Sequence, residues 1–328
     1  MDGGAAGGPR VSQLDRVSGI QAFVLGRVAA DLYPLQERAL LEDVETFQRF
    51  VGGFGGNVGT GLARLGVTTA VLSAVGDDGH GRFLRKALAK EGVEVGWLGT
   101  HPWLRTALAF CERWPPDHFP LTLYRRPTCP DWEIEAADLP LDEIRSAPLL
   151  FISGTALARD PSRSAVHAIL AARSQPGHGV VATILDLDWR KESWAHPERY
   201  AAEIAATMGH VDTIIGGVAE FAAAEVSPEA ALQRGIRRIF LKRGPYGAVV
   251  LEGQQRHEVG PVRVEVVNGL GAGDAFAAAV GQGLLSGLDA ATILQRANAA
   301  GAMVTTQLPC AAAMPNQDEL AAFVASQG

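Results

Sequence analysis

One glycine-rich segment combines the two groups that phosphoryl transfer requires, an anion-binding turn and a carboxylate base. Gly271, Ala272, Gly273 and Asp274 stand between a strand-like run and a helix predicted over residues 275–285. The glycines let backbone N–H groups turn inward at the start of the helix, where unpaired donors and the helix dipole bind a phosphate or a developing anion. Asp274 could accept the proton of an attacking hydroxyl beside these donors. The plain structural alternative is a turn with an aspartate cap.

A second glycine-rich segment covers residues 52–66. One interpretation is a dinucleotide fingerprint, with Gly53 and Gly55 in the turn and Asp77 or Asp78 as the acid that binds the ribose. Against this interpretation, the glycines do not follow a clear first strand of a βαβ unit. Glycine-rich patterns of this kind are weak evidence when they stand alone.

Four arginines are candidates for binding an acidic substrate. A guanidinium group binds a carboxylate through two parallel hydrogen bonds, which a neutral sugar does not require. Arg190 follows Asp188 by two residues at the end of a predicted strand. Arg125 lies in a small predicted β appendage, on a strand that should face the ligand-binding pocket. Arg27 and Arg126 complete the set. Each arginine taken alone is also explained as a solvated surface side chain.

The elements that must position these residues alternate between short β-type runs and helical patterns. The predicted strands cover residues 23–26, 69–75, 149–152, 180–187, 213–215 and 239–242, and the predicted helices cover residues 57–65, 81–91, 162–172 and 200–208. Since parallel strands need crossover connections, this order predicts an α/β fold with a mostly parallel central sheet between two layers of helices.

The alternation breaks between about residues 93 and 130, where strand-like pieces at 105–112 and 121–125 alternate with Pro-rich turns. We predict a small β sheet here, built from about residues 32–52 and 93–130. Such folds bind ligands at the end of the main sheet where the carboxyl ends of the strands meet. The small sheet is therefore predicted to be a lid over the ligand site.

The two glycine-rich segments together resemble the two signatures of the PfkB, or ribokinase-like, carbohydrate kinases. Residues 271–276 match Gly-Ala-Gly-Asp-x-Phe, and the resemblance extends over about residues 22–315. It implies a ribokinase-like three-layer sandwich with a β-sheet lid, ATP as the phosphoryl donor and Mg²⁺ as the metal. Two positions depart from the family pattern: Asn268-Gly269 stands where Asp-Thr is frequent, and Gly217 stands where the Asn-x-x-Glu motif has asparagine.

The resemblance assigns a substrate-binding role to four residues. Gly52 and Gly53 would let a sugar approach the backbone closely, and Asn57 would hydrogen-bond its hydroxyls. Asp31, read as the residue that closes the first strand, would accept hydrogen bonds from the substrate. A loop aspartate is the alternative for Asp31.

The resemblance also implies residues for the nucleotide and the metal. Lys242, Gly244 and Gly247 would belong to a phosphate and ribose turn, with an ordinary hairpin as the alternative. Asn298 would flank the adenine, or else make a packing hydrogen bond within an Ala-rich helix. Glu220, the acid of the Asn-x-x-Glu motif, would organise Mg²⁺ and its waters between the phosphates.

Further segments narrow the resemblance to kinases of myo-inositol breakdown. These segments are residues 26–34, 110–112 with 115–120, 124–131, 186–190 and 268–270, and residues 298–302 leading into Cys310 and Met314-Pro315. They imply ATP-dependent phosphorylation of the terminal hydroxyl of a sugar acid, 5-dehydro-2-deoxy-D-gluconate. A kinase for 2-keto-3-deoxygluconate or for a neutral sugar such as fructose or ribose is an alternative. So are a catalytically reduced sugar or nucleotide sensor and a nicotinamide-dependent dehydrogenase.

Composition limits the partners and the compartment. The chain of 328 residues has 29 basic and 36 acidic side chains, a net charge of −7, which disfavours a nucleic acid partner. Cys111, Cys129 and Cys310 lack disulfide or metal spacing, which indicates a reducing, cytoplasmic location. No run of about 18 apolar residues predicts a membrane span.

The predicted organisation is a flexible tail over residues 1–18 followed by one kinase domain over residues 19–328. A requirement for K⁺ and a homodimer that pairs through the lid are possibilities that the sequence leaves open.

Overall fold

The computed structural model describes residues 19–327 except 175, 176 and 178, so the predicted tail lies outside the described residues. Within these ranges the strands form one sheet of nine and one sheet of four. The strands are, in chain order, β1 (Ala22–Leu25), β2 (Ala29–Pro34), β3 (Phe47–Gly52), β4 (Thr69–Gly76), β5 (Leu98–His101), β6 (Leu108–Cys111), β7 (Leu121–Tyr124), β8 (Leu149–Ser153), β9 (Ala182–Asp186), β10 (Thr213–Gly217), β11 (Arg238–Lys242), β12 (Ala248–Glu252) and β13 (Gln255–Val259).

Helices cover both faces of the large sheet. Those in the described ranges are α1 (Phe54–Arg64), α2 (Gly79–Lys90), α3 (Leu141–Ser146), α4 (Ser162–Arg173), α5 (Tyr200–Met208), α6 (Val218–Ala223), α7 (Pro228–Gln233), α8 (Ala272–Leu285), α9 (Ala290–Thr305) and α10 (Gln317–Ser326). Side chains of β1 alternate between the two cores: Phe23 and Leu25 pack with α4 and α5, and Val24 packs with α1 and α8. A strand buried on both faces is apolar throughout, as β1 is.

The large sheet confirms the predicted α/β architecture. Its order is β13-β12-β11-β10-β9-β8-β1-β4-β5. The strands from β11 to β5 are parallel, whereas β12 and β13 add an antiparallel hairpin at one edge. The carboxyl ends of β1, β9, β10 and β11 therefore meet at one edge, where ligands bind in open α/β sheets.

The small sheet has the order β3-β2-β6-β7. Three expectations need correction. The strand Leu98–His101, inside the predicted lid region, pairs with β4 in the large sheet. Asp31 lies within β2 of the small sheet and does not close the first strand. The run before Gly271 is not a strand: it is irregular, and the amides of Val267 and Asn268 donate to the Thr305 carbonyl at 2.8 and 3.1 Å.

In the described ranges, no helix is long and apolar enough to cross a membrane.

Candidate active site

The predicted anion-binding turn forms the start of α8, a helix of 14 residues. Gly271 caps it with φ +81° and ψ −11°, and the amide of Ala275 donates to the Gly271 carbonyl at 2.9 Å. A Cβ at position 271 would lie 2.7 Å from Cβ of Cys310, so both the conformation and the space require glycine. The first-turn amides, including those of Ala272 and Gly273, have no partner one turn earlier and remain available to an anion.

Asp274 lies in this first turn and contacts Asn57 of α1. The Nδ2 group of Asn57 donates to Oδ2 of Asp274 at 2.7 Å. Burial raises the pKa of Asp274 from 3.8 to about 6, against the opposing effects of the Asn57 hydrogen bond and of the Lys242 and Arg190 cations. A carboxylate with this pKa is ionised at neutral pH and sufficiently basic to share a hydroxyl proton.

Asp31 lies near the same site. The hydroxyl of Tyr33 donates to Oδ2 of Asp31 at 2.9 Å. Burial raises the pKa of Asp31 to about 6; the guanidinium of Arg27 is the largest opposing effect, and the charge of Asp274 adds to the increase. Asp31 is 7% exposed, so a ligand that reaches it must be at least partly desolvated.

The glycine pair makes room for these predicted binding residues. A Cβ at Gly52 would lie 2.0 Å from the carboxylate of Asp31. Gly53 has φ +80°, and a Cβ there would lie 2.5 Å from the Arg27 carbonyl oxygen. The two glycines thus let the chain itself pack closely; the approach of a sugar to them stays a prediction.

Two of the four predicted arginines, Arg27 and Arg190, lie near the carboxylates of this site. Arg27 interacts with the charges of Asp31 and Asp188, and its Nε and Nη1 atoms are buried without a hydrogen-bond partner in the described part of the chain. Arg190 donates from Nε to Oδ1 of Asp188 at 3.1 Å and interacts with the charge of Asp274. The structure therefore brings Arg27 and Arg190 together with the predicted base.

Arg125 has a different environment. Its guanidinium forms a buried ion pair with Asp131, donates from Nε to the sulfur of Cys129 at 3.1 Å, and lies 3.6 Å from the ring centroid of Trp132. Burial alone would lower the pKa of Arg125, but the charge of Asp131 raises it. Arg125 is thus engaged by its own chain, and its predicted contact with substrate stays a prediction. Arg126 is exposed.

A cluster around Lys242 lies close to Asp274. The Lys242 ammonium is 3.2 Å from Oδ2 of Asp186 and 3.7 Å from Oε2 of Glu220. Glu220 Oε2 also accepts the amide of Gly217 at 2.5 Å. Burial raises the pKa of Asp186, while Lys242 opposes that effect. The ammonium beside the anion-binding turn is therefore held between two carboxylates.

Comparison with known proteins fits this arrangement. The model of the pfkB family carbohydrate kinases matches residues 20–317. The chain belongs to the PfkB family of carbohydrate kinases. It is 30% identical to a 5-dehydro-2-deoxygluconokinase of Clostridium tetani, with 95% of each chain covered. It is 31% identical to a 5-dehydro-2-deoxygluconokinase of Geobacillus thermodenitrificans, with 94% of each chain covered.

A solved structure of a fructokinase from Vibrio cholerae, with fructose, ADP and calcium ion bound, has a TM-score of 0.81 to this PfkB kinase at 26% identity. The match covers 93% of this chain and 99% of the fructokinase chain. The ribokinase-like fold expected from the two signatures is confirmed.

The predicted nucleotide turn of this PfkB kinase is the hairpin that joins β11 to β12. Gly244 and Gly247 have φ +55° and +82°, and a Cβ at position 247 would lie 2.0 Å from the Val259 carbonyl oxygen. Asn298 donates from Nδ2 to the Gly260 carbonyl at 2.9 Å. Both alternatives weighed for these residues, a hairpin and a packing hydrogen bond, describe the observed contacts, and nucleotide binding there stays a prediction.

The dinucleotide interpretation is wrong, since the chain is a PfkB kinase. Asp78 caps α2 by accepting the amides of His80 and Gly81. It also accepts the amide and the hydroxyl of Thr106 at 2.9 and 2.8 Å. These contacts occupy the carboxylate that was the candidate acid for a ribose. Asp77 is exposed and pairs with Arg82.

Sequence reasoning missed Asp186 and Asp188 as site residues. Asp188 accepts the hydroxyls of Ser153 and Thr155 at 2.7 and 3.1 Å and adopts φ +32°. Burial would raise the pKa of Asp188, but Arg190 and then Arg27 lower it. The available signal was the pair of acids at the carboxyl end of β9, the edge where such folds bind ligands.

Proposed function

We propose that this kinase transfers the γ-phosphoryl group of ATP to the terminal hydroxyl of a sugar acid, 5-dehydro-2-deoxy-D-gluconate. The names of the two bacterial relatives support this substrate. The observation that carries the proposal is the half-buried side chain of Arg27, whose Nε and Nη1 atoms are buried and have no hydrogen-bond partner among the described residues. Buried N–H donors without a hydrogen-bond partner are costly, and a substrate carboxylate would supply the missing acceptors.

The two arginines of the site support an acidic substrate together. Arg27 and Arg190 both lower the pKa of Asp31, Arg27 more strongly, so both cations lie near one buried carboxylate. A substrate carboxylate would bind Arg27 with Arg190 nearby, while Asp31 and Asn57 would bind its hydroxyls. The Oδ1 atom of Asn57, buried and without a partner in the described ranges, is a ready acceptor for one of those hydroxyls.

The reaction requires one proton transfer and one phosphoryl transfer. The substrate hydroxyl oxygen forms a bond to the γ-phosphorus as the bond from that phosphorus to the bridging oxygen of ADP breaks. The hydroxyl proton passes to the Asp274 carboxylate. The amides at the start of α8, from Gly271 to Gly273, stabilise the charge on the phosphoryl oxygens. Asn57 holds the carboxylate of Asp274 in place throughout.

The residues present fit a Mg²⁺ ion that retains waters and phosphate ligands. The described residues contain no group of three or more acidic, histidine or cysteine side chains arranged to hold a metal. Mg²⁺ in phosphoryl-transfer sites is commonly bound through one or two carboxylates together with substrate phosphates. Glu220, 20% exposed beside Lys242, is the carboxylate that we propose for this role. When bound, the ion would neutralise charge on the phosphates.

The test is an assay of ADP release with MgATP and four acceptors: 5-dehydro-2-deoxygluconate, 2-keto-3-deoxygluconate, fructose and ribose. We expect selective turnover of the first acceptor and its loss in Asp274→Asn. Turnover of another acceptor would contradict the proposed substrate but keep the kinase. No turnover of any acceptor, with binding of sugar or nucleotide retained, would favour a sensor.

We also propose a reducing, cytoplasmic location, supported by three cysteines that are all free and buried.

A homodimer through the small sheet is a further proposal. The rings of Phe47 and Phe110, and those of Phe110 and Tyr124, lie 5.2 Å apart on this sheet. Tyr124 is 59% exposed. Phe47 and Phe110 are half-buried beside it, and aromatic side chains are enriched at protein interfaces. Sedimentation that shows only monomer, in the wild type as in Tyr124→Ser, would contradict the proposal.

A further inference from the structure

The side chain of Lys242 crosses the end of β10 to reach Asp186. Lys242 ends β11 and Asp186 ends β9, with β10 between them. In the strand register, Gly217 is the partner of Lys242 and Ile215 is the partner of Asp186. Because β10 ends in Gly216 and Gly217, no side chain from these two positions stands between the ammonium and the carboxylate, and Nζ lies 3.2 Å from Oδ2 and 3.5 Å from Oδ1 of Asp186.

The same ammonium lies beside the anion-binding turn. A Cβ at Gly273 would lie 3.3 Å from Nζ of Lys242. Lys242 also lowers the pKa of Asp274. Gly217 departs from the family's Asn-x-x-Glu motif, and the backbone partner of Gly217 is Lys242 itself. A Cβ at Gly217 would lie 3.4 Å from Oε2 of Glu220, the oxygen that also lies 3.7 Å from the Lys242 ammonium, so the side chain missing at position 217 leaves its space facing this ion pair.

We propose that Lys242 is a catalytic residue that contacts the transferring phosphoryl group, and that Asp186 is a positioning residue that holds its ammonium beside Gly273. The inference rests on the proposed function, because it needs ATP to bind at the start of α8. Lys242 neither gains nor loses a proton in the reaction; its ammonium stabilises the charge on the phosphoryl oxygens. Asp186 acts only through Lys242.

A purely structural ion pair is the competing explanation, and nucleotide binding separates the two. The probes are ADP and a non-hydrolysable β,γ-imido analogue of ATP, titrated by calorimetry with Mg²⁺ and without sugar. We expect Lys242→Met to weaken the analogue about 10-fold more than ADP, as loss of a hydrogen bond to a charged group would do. Lys242→Arg should restore part of this discrimination. The role of Lys242 would be overturned if Lys242→Met bound both nucleotides as tightly as the wild type does. It would also be overturned if the variant lost the same factor of affinity for ADP as for the analogue.

The positioning role of Asp186 needs a second measurement. Asp186→Asn keeps the size of the side chain but removes the charge, and we expect kcat to fall at least about 10-fold with a smaller change in KM. In the Lys242→Met background the same change should cost little more, since Asp186 acts through Lys242. Fully additive losses in the double variant would overturn the positioning role. Circular dichroism of each variant checks that it is folded.

Lys86→Met is the matched control. Lys86 is an exposed lysine on α2, and its loss should leave both affinities and kcat unchanged. The nucleotide measurements use no acceptor, so they stand apart from the choice of sugar. If 5-dehydro-2-deoxygluconate is not phosphorylated but Lys242→Met still loses its discrimination for the analogue, the proposed substrate fails and the inference holds. If the wild type does not bind the analogue, the inference fails whichever acceptor is used.

Discussion

Asn57 donates a hydrogen bond of 2.7 Å to Oδ2 of Asp274, although 217 residues separate them in sequence. One residue belongs to α1 and the other to the first turn of α8, and the two helices pack on the same face of the large sheet. The contact ties the second glycine-rich segment to the first. The side-chain nitrogen Nδ2 of Asn57 orients the Asp274 carboxylate, so the side-chain oxygen Oδ1 remains free to bind a ligand.

The first prediction concerns the pH dependence of Asn57→Ala. The Asn57 hydrogen bond lowers the pKa of Asp274, whose value is about 6. Without it the pKa rises, so a larger fraction of Asp274 is protonated and inactive below neutral pH. We expect the acid limb of kcat/KM against pH to move to higher pH, measured over the range from about pH 5 to about pH 9 with the preferred acceptor.

Thr60→Ala serves as the control for this shift. Thr60 is buried on the same helix, but its hydroxyl donates to the Gly56 carbonyl at 2.8 Å and does not contact Asp274. Its acid limb should match that of the wild type. An unshifted limb in Asn57→Ala would mean that Asp274 is not the group that this limb reports.

The second prediction separates acidic from neutral acceptors. Arg27→Met should lower kcat/KM for a sugar acid about 10- to 100-fold, the loss expected for a hydrogen bond to a charged group. Turnover of fructose, if present, should change little, because fructose has no carboxylate. Arg82→Met, an exposed arginine with 66% of its side chain accessible, is the charge-matched control and should affect neither acceptor.

Equal losses for the acid and for fructose would contradict a carboxylate contact. Arg27 would then act on Asp31, whose pKa it lowers. Arg27→Lys keeps the charge without the planar fork and should give an intermediate loss for the acid.

The alternation of strands and helices predicted the large sheet because its central strands are buried on both faces. Such strands are short apolar runs in the sequence, and β8, Leu149–Ser153, is an example. The anion-binding turn at residues 271–274 was likewise predictable, because two glycines directly before an aspartate and a helical pattern are typical of a helix start with inward-facing backbone N–H groups. The edge hairpin of β12 and β13 was not predicted. Its second strand, Gln255–Val259, is mostly polar and lacks an apolar period.

The site beyond the motifs depended on contacts between distant segments. Asp186 and Lys242 are 56 residues apart and meet across the end of β10, whose last two residues are glycines. Arg125 looked like a ligand-binding residue on a lid strand, but Asp131 six residues later binds it. A local pattern gives the type of side chain at a sheet edge; it does not give the partner that satisfies the side chain.

The third prediction concerns two glycines with opposite surroundings. Gly271→Ala should destabilise the kinase by about 1–3 kcal/mol, because alanine is strained at positive φ and overpacks its neighbours. At Gly271, φ is +81° and the new Cβ would lie 2.7 Å from Cys310. Gly79→Ala is the matched control: the position is in α2 with no atom within 4 Å of the new Cβ. Alanine there should be neutral or stabilise by up to about 1 kcal/mol. Thermal unfolding measures both; equal Tm changes would contradict the geometry.

The fourth prediction links the base to stability. The pKa of Asp274 is about 6 in the folded chain, above its ordinary value of 3.8. The folded state therefore holds the proton more tightly than the unfolded state. The stability contributed by this group is fully present below pH 3.8 and is lost as pH rises through 6.

An asparagine side chain is not ionised at any pH, so Asp274→Asn should remove that loss. We expect the variant to have a higher Tm than the wild type at about pH 7.5, and the difference to shrink at about pH 5, where the wild-type carboxyl is mostly protonated. Scanning calorimetry of both proteins at the two pH values measures this. A variant that is less stable than the wild type at the higher pH would mean that Asn57, Lys242 and Arg190 stabilise the carboxylate by more than burial destabilises it.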